Sequence, residues 1–444
     1  MLEKNIENMK SWRLIVLGSG YVGLTTAALF ATVGYNVTAV DMNKEIVKNV
    51  NGGISPINEP GLQELISHTV QSGKLKATVN SDLTLNQGDT ILISVQTPVG
   101  KNKKANLSFL MKALESVGKN LKKRMLIAIC STLPPGTMKK EVKPLLESLS
   151  GLKVDTDFYL AYVPERIAPG KALQEFIESP RLVGGIGPNS TKIAAELFGN
   201  VCKTVIETDA TTAEIAKTAE NTFRDVNIAF ANQLALICEQ HGADITKVIK
   251  LANTHPRVNI HTSGPGVGGP CLTKDPYLLT HQSKPEDYDL IYTARKINDN
   301  MPTHIVNLTI QALKKAGKDV KNSKITILGT AYKANIDDSR FSPSESIIQK
   351  IKELDATSIV YDPYCTNTFG AKKATSLHES IEGADCLIIA TDHTEFKNLN
   401  LTIMKQLMND KPAIVDGRRI LNPHEAEDLG FIYYGVGYRK KEID

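Results

Sequence analysis

Residues 12–41 read WRLIVLGSGYVGLTTAALFATVGYNVTAVD, and the order of elements in this stretch decides the fold. The apolar run from Trp12 to Gly18 predicts a strand that ends in a glycine-rich turn. Leu24 to Val33 is apolar and contains no Gly or Pro, so it predicts a helix. Asn36 to Val40 predicts a second strand, which ends at Asp41. Strand, turn, helix and strand in this order are the beginning of a parallel α/β sheet.

The turn between the first strand and the helix predicts a dinucleotide site. Its Gly-Ser-Gly-Tyr-Val-Gly sequence has the G-x-G-x-x-G spacing in the required context. The first glycine permits a tight turn, the second lets a pyrophosphate approach the backbone, and the third lets the helix pack closely. The carboxylate that ends the second strand would accept hydrogen bonds from a ribose and repel a 2′-phosphate, which favours NAD over NADP. The residues predicted to hold NAD are Gly18, Gly20, Tyr21, Val22, Gly23 and Asp41.

Four further apolar runs extend the predicted parallel sheet to about residue 205. They are Thr90 to Val95, Met125 to Cys130, Phe158 to Val163 and Leu182 to Gly185. Thr97 and Thr132 each follow one of these strands. Because the carboxyl ends of parallel strands line the ligand crevice, both threonines could face the nicotinamide half of the cofactor. Ordinary turn chemistry of Thr and Pro explains their positions equally well.

The pattern changes after Asp209. Residues 212–241 have helical spacing and few breakers, so they predict one long connecting helix. Further helices are predicted at 245–252 and from about Pro285 to Gly317. At Lys324 a second alternation of strands and helices begins. Its predicted strands are Lys324 to Thr330, Ser358 to Asp362, Asp385 to Ala390 and Ala413 to Asp416.

The predicted fold class is therefore α/β, with two Rossmann-like doubly wound domains joined by a long central helix and a helical middle domain. The predicted boundaries are 1–205, 206–318 and 319–444. The two α/β halves resemble each other weakly, since each has a strand, a glycine turn and an acidic strand end. Gly329 opens the second turn, but GTAYK does not complete the fingerprint, so this half is not expected to bind a dinucleotide.

Composition excludes several classes of protein. The 444 residues contain 52 basic and 48 acidic side chains, a net charge of +4, which gives no electrostatic reason to expect nucleic acid or a membrane surface as partner. No apolar run reaches the roughly 18 residues that span a bilayer. Residues 1–11 lack the apolar core of a signal peptide, so we expect a cytoplasmic protein. The six cysteines are dispersed without a CxxC pair, which argues against a metal site and a disulfide framework.

One cysteine differs from the other five in its surroundings. Cys271 lies in the Gly- and Pro-rich stretch 261–275, directly after Gly-Gly-Pro and three residues before Lys274. Glycines let backbone N–H groups converge on a ligand, and a nearby cation lowers the pKa of a thiol. This setting favours a reactive thiol, whereas Cys386 lies in an apolar run that is typical of a buried structural cysteine.

Six motifs together resemble those of the UDP-glucose/GDP-mannose dehydrogenase family. After the glycine fingerprint they are VPERIAPGKAL (163–173), AEIAKTAENTFR (213–224), GPGVGGPCLTKD (264–275), GTAYKANIDDSR (329–340) and DGRRI (416–420). They occur in the family's order and cover nearly the whole chain. Val267, Leu272 and the stretch HPRVNI (255–260) look most like the branch that oxidises UDP-N-acetyl-D-mannosamine.

The resemblance implies an NAD-dependent, four-electron oxidation of a sugar C6 hydroxyl to a carboxylate. Cys271 would attack the intermediate aldehyde and form a thiohemiacetal, then a thioester that water hydrolyses. By resemblance, Lys217 would assist proton transfer and Asn221 would donate a second hydrogen bond to the oxyanion. Asp275 would orient the hydrolytic water or tune Lys274, and Glu165 would act as base in the hydrolysis or position the water. The alternative interpretation of Lys217, Asn221 and Arg224, which share one face of the predicted helix, is an ordinary solvated face.

The resemblance also implies substrate contacts and a dimer. Arg340 would lie at the cofactor edge, and the middle domain would form a homodimer. The partner molecule would be a UDP-N-acetylhexosamine, bound mainly by the last domain. Besides Lys217 and Asn221, the implied substrate contacts are Arg166, Ile167, Arg224, His255, Arg257, Gly268, Tyr332, Lys333 and Arg418.

Three alternatives stay open at this stage. The same chemistry could act on UDP-N-acetylglucosamine or UDP-glucose. A two-electron hydroxyacid dehydrogenase shares a Lys and an Asn on one helix, but it needs neither Cys271 nor a second α/β domain. A nucleotide-sugar-binding regulator without activity is disfavoured because Lys217, Asn221, Cys271 and Asp275 occur together.

Overall fold

A computed structural model describes residues 9–80, 84–100, 102–284 and 288–438. The chain divides into two compact units. The first comprises Met1–Glu220 and Tyr277–Ser283, and the second comprises Asn221–Pro276 and Lys284–Asp444. The three functional segments with boundaries at 205 and 318 stay a prediction, because a compact unit need not coincide with a segment that has its own role. Within the described residues, no helix is long and apolar enough to cross a membrane.

The first unit is built on an eight-stranded sheet of order β3-β2-β1-β4-β5-β6-β7-β8. Its strands are β1 Arg13–Leu17, β2 Asn36–Val40, β3 Leu75–Thr78, β4 Thr90–Ile93, β5 Leu126–Ile129, β6 Tyr159–Tyr162, β7 Arg181–Gly185 and β8 Val205–Asp209. Its helices are α1 Tyr21–Thr32, α2 Lys44–Asn51, α3 Leu62–Gln71, α4 Ser108–Asn120, α5 Lys143–Ser150, α6 Ala172–Glu178 and α7 Pro188–Gly199. The reversal of strand order at β1 and β4 is the switch point where such sheets bind ligands.

Alternate residues of the central strands enter two different cores. Leu14 and Val16 of β1 pack in the core on one face of the sheet, and Ile15 and Leu17 pack on the other. This is why the strand reads as a continuous apolar run rather than an alternating one. Each fully buried Leu or Ile contributes about 1.5–3 kcal/mol to folding.

The sheet differs from the all-parallel prediction at one pair. β6 and β7 are antiparallel, with Tyr162 opposite Gly184, and β8 then runs parallel to β7. The chain after β6 therefore turns back at the carboxyl edge of the sheet instead of crossing to the other edge. As a result the PERIAPG loop and the start of β7 both lie at the edge where ligands bind.

The long helix, α8, spans Ala210–His241, 32 residues. It confirms the predicted helix and begins two residues earlier. It starts in the first unit and ends in the second. Helix α9, Ile245–Ala252, has the predicted bounds. Helix α10, Asp275–Leu279, begins at the end of the Gly- and Pro-rich stretch 261–275, the cysteine loop. Helix α11 is Asp289–Lys315; the predicted start near Pro285 lies outside the described residues.

The second unit contains a six-stranded parallel sheet of order β11-β10-β9-β12-β13-β14. Its strands are β9 Lys324–Leu328, β10 Thr357–Tyr361, β11 Lys372–Lys373, β12 Cys386–Ile389, β13 Ala413–Asp416 and β14 Ile432–Gly435. Its remaining helices are α12 Pro343–Glu353, α13 Leu377–Ile381, α14 Leu401–Leu407 and α15 Pro423–Asp428. The two sheets and the intervening helices confirm the predicted fold class.

Candidate active site

The glycine turn after β1 has the geometry that its sequence predicts. Gly18 has a φ of +92°, and a Cβ there would lie 2.4 Å from the Ser94 carbonyl oxygen. A Cβ at Gly23 would lie 1.8 Å from the Gly18 carbonyl oxygen, so α1 approaches the turn this closely only with glycine. A Cβ at Gly20 would meet no atom within 4 Å. Packing thus requires two of the glycines, and the third leaves open space where a pyrophosphate fits.

Asp41 is held beside this turn. One carboxylate oxygen accepts a hydrogen bond from the Ser19 N–H at 2.8 Å, and the other accepts from the Asn43 N–H at 2.9 Å. Asp41 is half-buried, so its remaining lone pairs can reach a ligand. These are the acceptors that the two hydroxyls of an NAD ribose would need, and the site therefore fits the cofactor.

Tyr21 is the first residue of α1, and its side chain contacts residues outside the glycine turn. Its hydroxyl donates to the Glu59 carboxylate and lies 3.4 Å from the Ala168 carbonyl oxygen. Burial, together with the charge of Glu59, raises the pKa of Tyr21. Val22 is half-buried one position further along the helix.

The loops after β4 and β5 are joined at the same edge of the sheet. The Thr97 hydroxyl donates to the Thr132 carbonyl oxygen at 2.7 Å, and the Ser131 hydroxyl donates to the Val95 carbonyl oxygen at 2.6 Å. The structure brings Thr97 and Thr132 together, and the Thr97 hydroxyl hydrogen is used in the bond between them. Their contact with the nicotinamide half stays a prediction.

The loop after β6 places the half-buried Glu165 in a partly cationic environment. Burial raises the pKa of Glu165, and the charges of Arg181 and Lys217 oppose that rise. The Ile167 N–H also donates to the Glu165 carboxylate. A carboxyl group of this kind holds a proton more readily than an exposed one, which suits general acid–base chemistry.

Arg166, which follows Glu165, is held by the protein. Its guanidinium donates to the Pro180 carbonyl oxygen at 2.7 Å and pairs with Glu220. A substrate contact through this side chain would compete with those bonds, so the predicted role of Arg166 stays a prediction. Ile167 is half-buried against the core of the first unit.

In the second unit, Cys271 is exposed, whereas the other five cysteines are buried. Its carbonyl oxygen accepts hydrogen bonds from the Lys274 N–H at 3.1 Å and the Asp275 N–H at 2.8 Å, which form the turn that begins α10. The thiol is therefore accessible, and it lies on a stretch of backbone with a defined conformation.

The glycines before Cys271 let the loop pack tightly. A Cβ at Gly268 would lie 2.7 Å from the Phe341 carbonyl oxygen, and one at Gly269 would lie 2.7 Å from the Tyr332 ring. The Gly269 N–H donates to the Arg340 carbonyl oxygen at 3.1 Å. Burial raises the pKa of Tyr332 to about 12, with smaller contributions from Asp338 and Cys271. The structure thus brings three predicted residues together, Gly268, Tyr332 and Cys271.

Asn221 and Asp275 form a buried pair. The Asn221 amide donates to Asp275 Oδ2 at 2.6 Å, and Lys274 Nζ lies 3.7 Å from Asp275 Oδ1. Both members of the pair are buried. Asp275 therefore connects α8 to the residues that follow the cysteine, and it fixes the orientation of the Asn221 amide.

Three basic side chains follow strands of the second sheet. Arg418 Nε donates to the Ala390 carbonyl oxygen at 3.0 Å and lies 3.7 Å from Asp392. Arg340 is exposed and makes a bidentate bond to Asp338, and Lys333 is exposed. Arg418 and Arg340 would have to exchange these bonds for bonds to a ligand, and the contact of all three side chains with a substrate diphosphate stays a prediction.

Three further predicted contacts lie at the surface. Arg224 is exposed on α8, and its charge, with burial as the larger cause, lowers the pKa of His261. His255 and Arg257 are exposed after α9, and the Arg257 N–H donates to His255 Nδ1 at 3.3 Å. Among the described residues, no hydrogen bond or ion pair joins the side chain of His255 or Arg257 to Cys271 or its neighbours.

A buried network that the sequence did not predict supports the cysteine loop. Asp225 accepts from Arg295 at 2.6 Å and from Asn298 at 2.8 Å. Asn232 donates to Asn298 at 2.9 Å and accepts from the Gly264 N–H at 2.9 Å. Only the spacing of Asp225 and Asn232 on α8, seven residues apart on one face, could have suggested it.

Two buried glutamates of the first unit were also missed. Glu214 accepts from the Gly136 and Met138 N–H groups, and burial raises its pKa to about 7. Glu59 accepts from Tyr21, Gly170 and Ala172. Apart from the Tyr21 hydroxyl, their partners are backbone N–H groups far away in sequence, so no local pattern predicts either residue.

The chain matches three models of one family. These are the NAD binding domain of the UDP-glucose/GDP-mannose dehydrogenase family at residues 12–202, its central domain at 211–300 and its UDP binding domain at 326–423. Together they span most of the chain.

Relatives of known structure cover almost the whole chain. A UDP-N-acetyl-D-mannosamine dehydrogenase from Pyrococcus horikoshii is 42% identical, with 96% of this chain and 99% of the relative covered, and its structure has a TM-score of 0.90. An NDP-N-acetyl-D-galactosaminuronic acid dehydrogenase from Methanosarcina mazei is 37% identical, with 98% of each chain covered and a TM-score of 0.87. A UDP-glucose dehydrogenase from Pyrobaculum islandicum is 26% identical, with 97% and 98% covered and a TM-score of 0.86.

Proposed function

The chain belongs to the UDP-glucose/GDP-mannose dehydrogenase family and is an NAD-dependent oxidoreductase, and we propose that it oxidises UDP-N-acetyl-D-mannosamine to UDP-N-acetyl-D-mannosaminuronate. The oxidation converts the C6 alcohol to an aldehyde and the aldehyde to an acid. NAD, when bound, accepts one hydride in each oxidation, so each sugar consumes two NAD. The 42% identity to a relative with that name supports this sugar.

The single observation that carries the proposal is the position of Cys271. It is the exposed cysteine of the six, and it lies in a loop whose glycines pack against Tyr332. An aldehyde cannot release a hydride until a nucleophile adds to its carbon. The Cys271 thiolate adds to that carbon and leaves an oxyanion, which expels the second hydride and becomes a thioester.

The first oxidation requires a group that manages the proton of the alcohol. Lys217 and Asn221 are four residues apart on α8, so one helical turn separates them. In the proposed mechanism Lys217 assists transfer of the hydroxyl proton and stabilises the developing oxyanion, and the Asn221 amide donates a hydrogen bond to that oxyanion. The bond from Asn221 to Asp275 supports this role, because it fixes the amide orientation.

The final step hydrolyses the thioester. Water attacks the thioester carbon, the C–S bond breaks, and the Cys271 thiolate is restored. We assign the positioning of this water to Asp275 or Glu165. The raised pKa of Glu165 suits a group that takes a proton from water as the bond forms.

Binding of the two ligands is divided between the predicted segments. Residues 1–205 hold NAD through the glycine turn and Asp41, and residues 319–444 hold the UDP-sugar. Arg418, Lys333 and Arg340 supply charge for the diphosphate, where charge-assisted hydrogen bonds are strong.

Another N-acetylhexosamine is the second candidate substrate. The 37% identity to the Methanosarcina mazei enzyme named for N-acetyl-D-galactosaminuronic acid favours it specifically. UDP-N-acetylglucosamine and UDP-glucose are the remaining alternatives, and the lower identity of 26% to a UDP-glucose dehydrogenase disfavours glucose.

The test is the yield of NADH per sugar. The purified protein is incubated with excess NAD and a limiting amount of UDP-N-acetyl-D-mannosamine, of its gluco and galacto epimers, or of UDP-glucose. We expect two NADH per molecule of UDP-N-acetyl-D-mannosamine and the highest kcat/KM for that sugar. A yield of one NADH would contradict the covalent mechanism, and a preference for another sugar would reassign the substrate.

Cys271→Ser tests the nucleophile. We expect a loss of at least about 10³-fold in production of the acid, because a serine hydroxyl without an activating base is a weak nucleophile. Cys238→Ala is the matched control, since Cys238 is a buried cysteine of the same unit, and it should keep the yield of two. Full activity of Cys271→Ser would remove Cys271 from the mechanism.

We also propose a homodimer that forms through α8. Phe223, Phe230 and Ile237 are spaced seven residues apart, so they form one stripe on the helix, the α8 stripe. Their side chains are 61%, 52% and 43% exposed. A second copy of the chain is the occupant that this stripe fits, because a two-fold axis across a helix brings the same apolar side chains together.

A further inference from the structure

Glu59 is a buried carboxylate that the proposed mechanism does not use. It lies between α2 and α3, in the segment NEPG, and its side chain is 5% exposed. Burying a charged carboxylate is costly unless hydrogen bonds compensate for the lost water. The donors that compensate here come from two separate parts of the first unit, and their identity suggests what Glu59 does.

One donor comes from the cofactor turn. The Tyr21 hydroxyl donates to Glu59 Oε2. Tyr21 directly follows Gly20, the glycine whose open side leaves room for the pyrophosphate. A dinucleotide bound against the N-terminus of α1 would therefore restrain the backbone of Tyr21, and through the ring it would restrain Glu59.

The other donors come from the loop that carries Glu165. The Gly170 N–H donates to Oε2 at 2.7 Å, and the Ala172 N–H donates to Oε1 at 2.7 Å. These groups lie at the end of the loop and at the first residue of α6. The loop is held at its other end by the Arg181 guanidinium, which donates to the Pro164 carbonyl oxygen at 3.0 Å.

Glu59 therefore connects two elements that bind different ligands. We propose that Glu59 is a positioning residue that couples NAD binding to the order of residues 165–172, and thereby to sugar binding. The inference rests on the proposed function, because that function assigns Glu165, Arg166 and Ile167 to the sugar. With NAD in place, the chain of bonds from Tyr21 through Glu59 to Gly170 holds the loop in its binding conformation.

The coupling is measured as a ratio of dissociation constants. Calorimetry gives the Kd of UDP-N-acetyl-D-mannosamine with and without saturating NADH, which binds without allowing turnover. We expect the wild-type protein to bind the sugar about tenfold more tightly with NADH, a factor within the range for coupled sites. Glu59→Gln and Tyr21→Phe should reduce the ratio to within about twofold of one.

The double variant separates coupling from general damage to the fold. If both residues act through one bond, Tyr21→Phe adds nothing further to the ratio in Glu59→Gln. Glu64→Gln is the matched control, since Glu64 is an exposed glutamate on the adjacent α3, and it should keep the wild-type ratio. Tyr21→Phe removes a single oxygen atom, so it keeps the test interpretable if Glu59→Gln folds poorly.

The outcomes distinguish this inference from the proposed function. If the wild-type protein does not bind the sugar at all, the proposed substrate is wrong. If it binds the sugar and yields two NADH, but either the wild-type ratio is one or both variants keep a tenfold ratio, the proposed function stands and the role of Glu59 is wrong.

Discussion

At the scale of single residues, burial decides what the carboxyl groups of this chain can do. Asp41 keeps part of its surface open and can accept hydrogen bonds from a ligand. Glu214 is fully buried, and its two oxygens are directed at the Gly136 and Met138 N–H groups, at 2.6 and 2.8 Å. Burial raises the pKa of Glu214 to about 7 from an ordinary value of 4.5, in spite of those bonds. Its charge therefore changes near neutral pH.

This shift makes the stability of the first unit depend on pH. Because the folded state binds the Glu214 proton more tightly than the unfolded state, its contribution to stability falls as pH rises from 4.5 to about 7. Glu214→Gln does not titrate, so the wild-type protein should lose on the order of 1–3 kcal/mol relative to the variant across that range. The measurement is urea unfolding at several pH values, followed by the fluorescence of Trp12, which lies in the first unit.

The two proteins are compared by how steeply their free energy of unfolding changes with pH, and not by the difference between them at a single pH. A carboxamide facing the two N–H groups has a cost of its own, but that cost is the same at every pH. Glu207→Gln, at an exposed position of β8, should keep the wild-type slope. Parallel curves for the wild-type protein and Glu214→Gln would show that Glu214 does not titrate in this range.

At the scale of elements, the buried parallel strands were the most predictable. β1, β2 and β4 consist almost wholly of buried residues, so their sequences read as apolar runs. β8 was not predicted, because most of its residues are exposed and it lacks that signal. The direction of β7 was also not predictable, since periodicity reports burial and not orientation.

Residues of the candidate site were predictable from the sequence where a short local motif indicates their chemistry. The glycine turn and the cysteine loop were predicted in this way, whereas the pair at 217 and 221 on α8 was implied by the family resemblance, and the roles of these residues stay predictions. Glu59 and Glu214 were not, because each bonds to backbone groups more than 70 residues away. Asp225 and Asn232 lie in a helix whose polar residues look solvated until the fold places Asn298 beside them.

The exposed α8 stripe predicts that a charge placed on it changes the oligomeric state. Phe230→Glu places a charge at the middle of three exposed apolar side chains, where burial against a second copy would leave that charge unpaired. We expect the wild-type protein to be a dimer at micromolar concentration by light scattering, and Phe230→Glu to be a monomer. Ile403→Glu, at a 51% exposed apolar position on α14, should stay a dimer. A monomeric wild-type protein would contradict the proposed interface.

At the scale of the whole molecule, each of the two sheets carries a glycine turn with the same backbone geometry, but the aspartates beside the two turns differ in their hydrogen bonds. The Gly18 N–H donates to the Val40 carbonyl oxygen at 2.9 Å, and the Gly329 N–H donates to the Tyr361 carbonyl oxygen at 2.9 Å. Both glycines have a φ of +92°. An aspartate follows the second strand in each case, Asp41 in the first unit and Asp362 in the second. The internal repeat suggested by the sequence is therefore present in the backbone.

The two aspartates differ in how many donors they already have. Asp41 accepts from two N–H groups. The Asp362 side chain is 2% exposed, and its carboxylate accepts from the backbone of four residues as well as bonding His393 at 3.1 Å. The backbone donors are Thr330, Ala331, Tyr364 and Cys365. Hydrogen bonds from these donors hold the pKa of Asp362 well below its usual range. A ribose would find acceptors at Asp41 and saturated oxygens at Asp362.

We predict that the turn of the first unit binds NAD and that the turn of the second unit only stabilises the fold. Calorimetry with NADH should give one site per chain. Asp41→Asn should weaken that binding by at least about tenfold, roughly the 1.4 kcal/mol of one hydrogen bond to a charged group.

Asp362→Asn should leave NADH affinity unchanged and lower stability by about 2–4 kcal/mol, because an amide faces several buried N–H donors. Since the folded pKa of Asp362 is depressed, its contribution is present above the unfolded value near 3.8 and is lost as pH falls below it, so the two proteins should converge in acid. Two NADH per chain, or loss of NADH binding in Asp362→Asn, would mean that the second turn has kept the cofactor site that its saturated aspartate argues against.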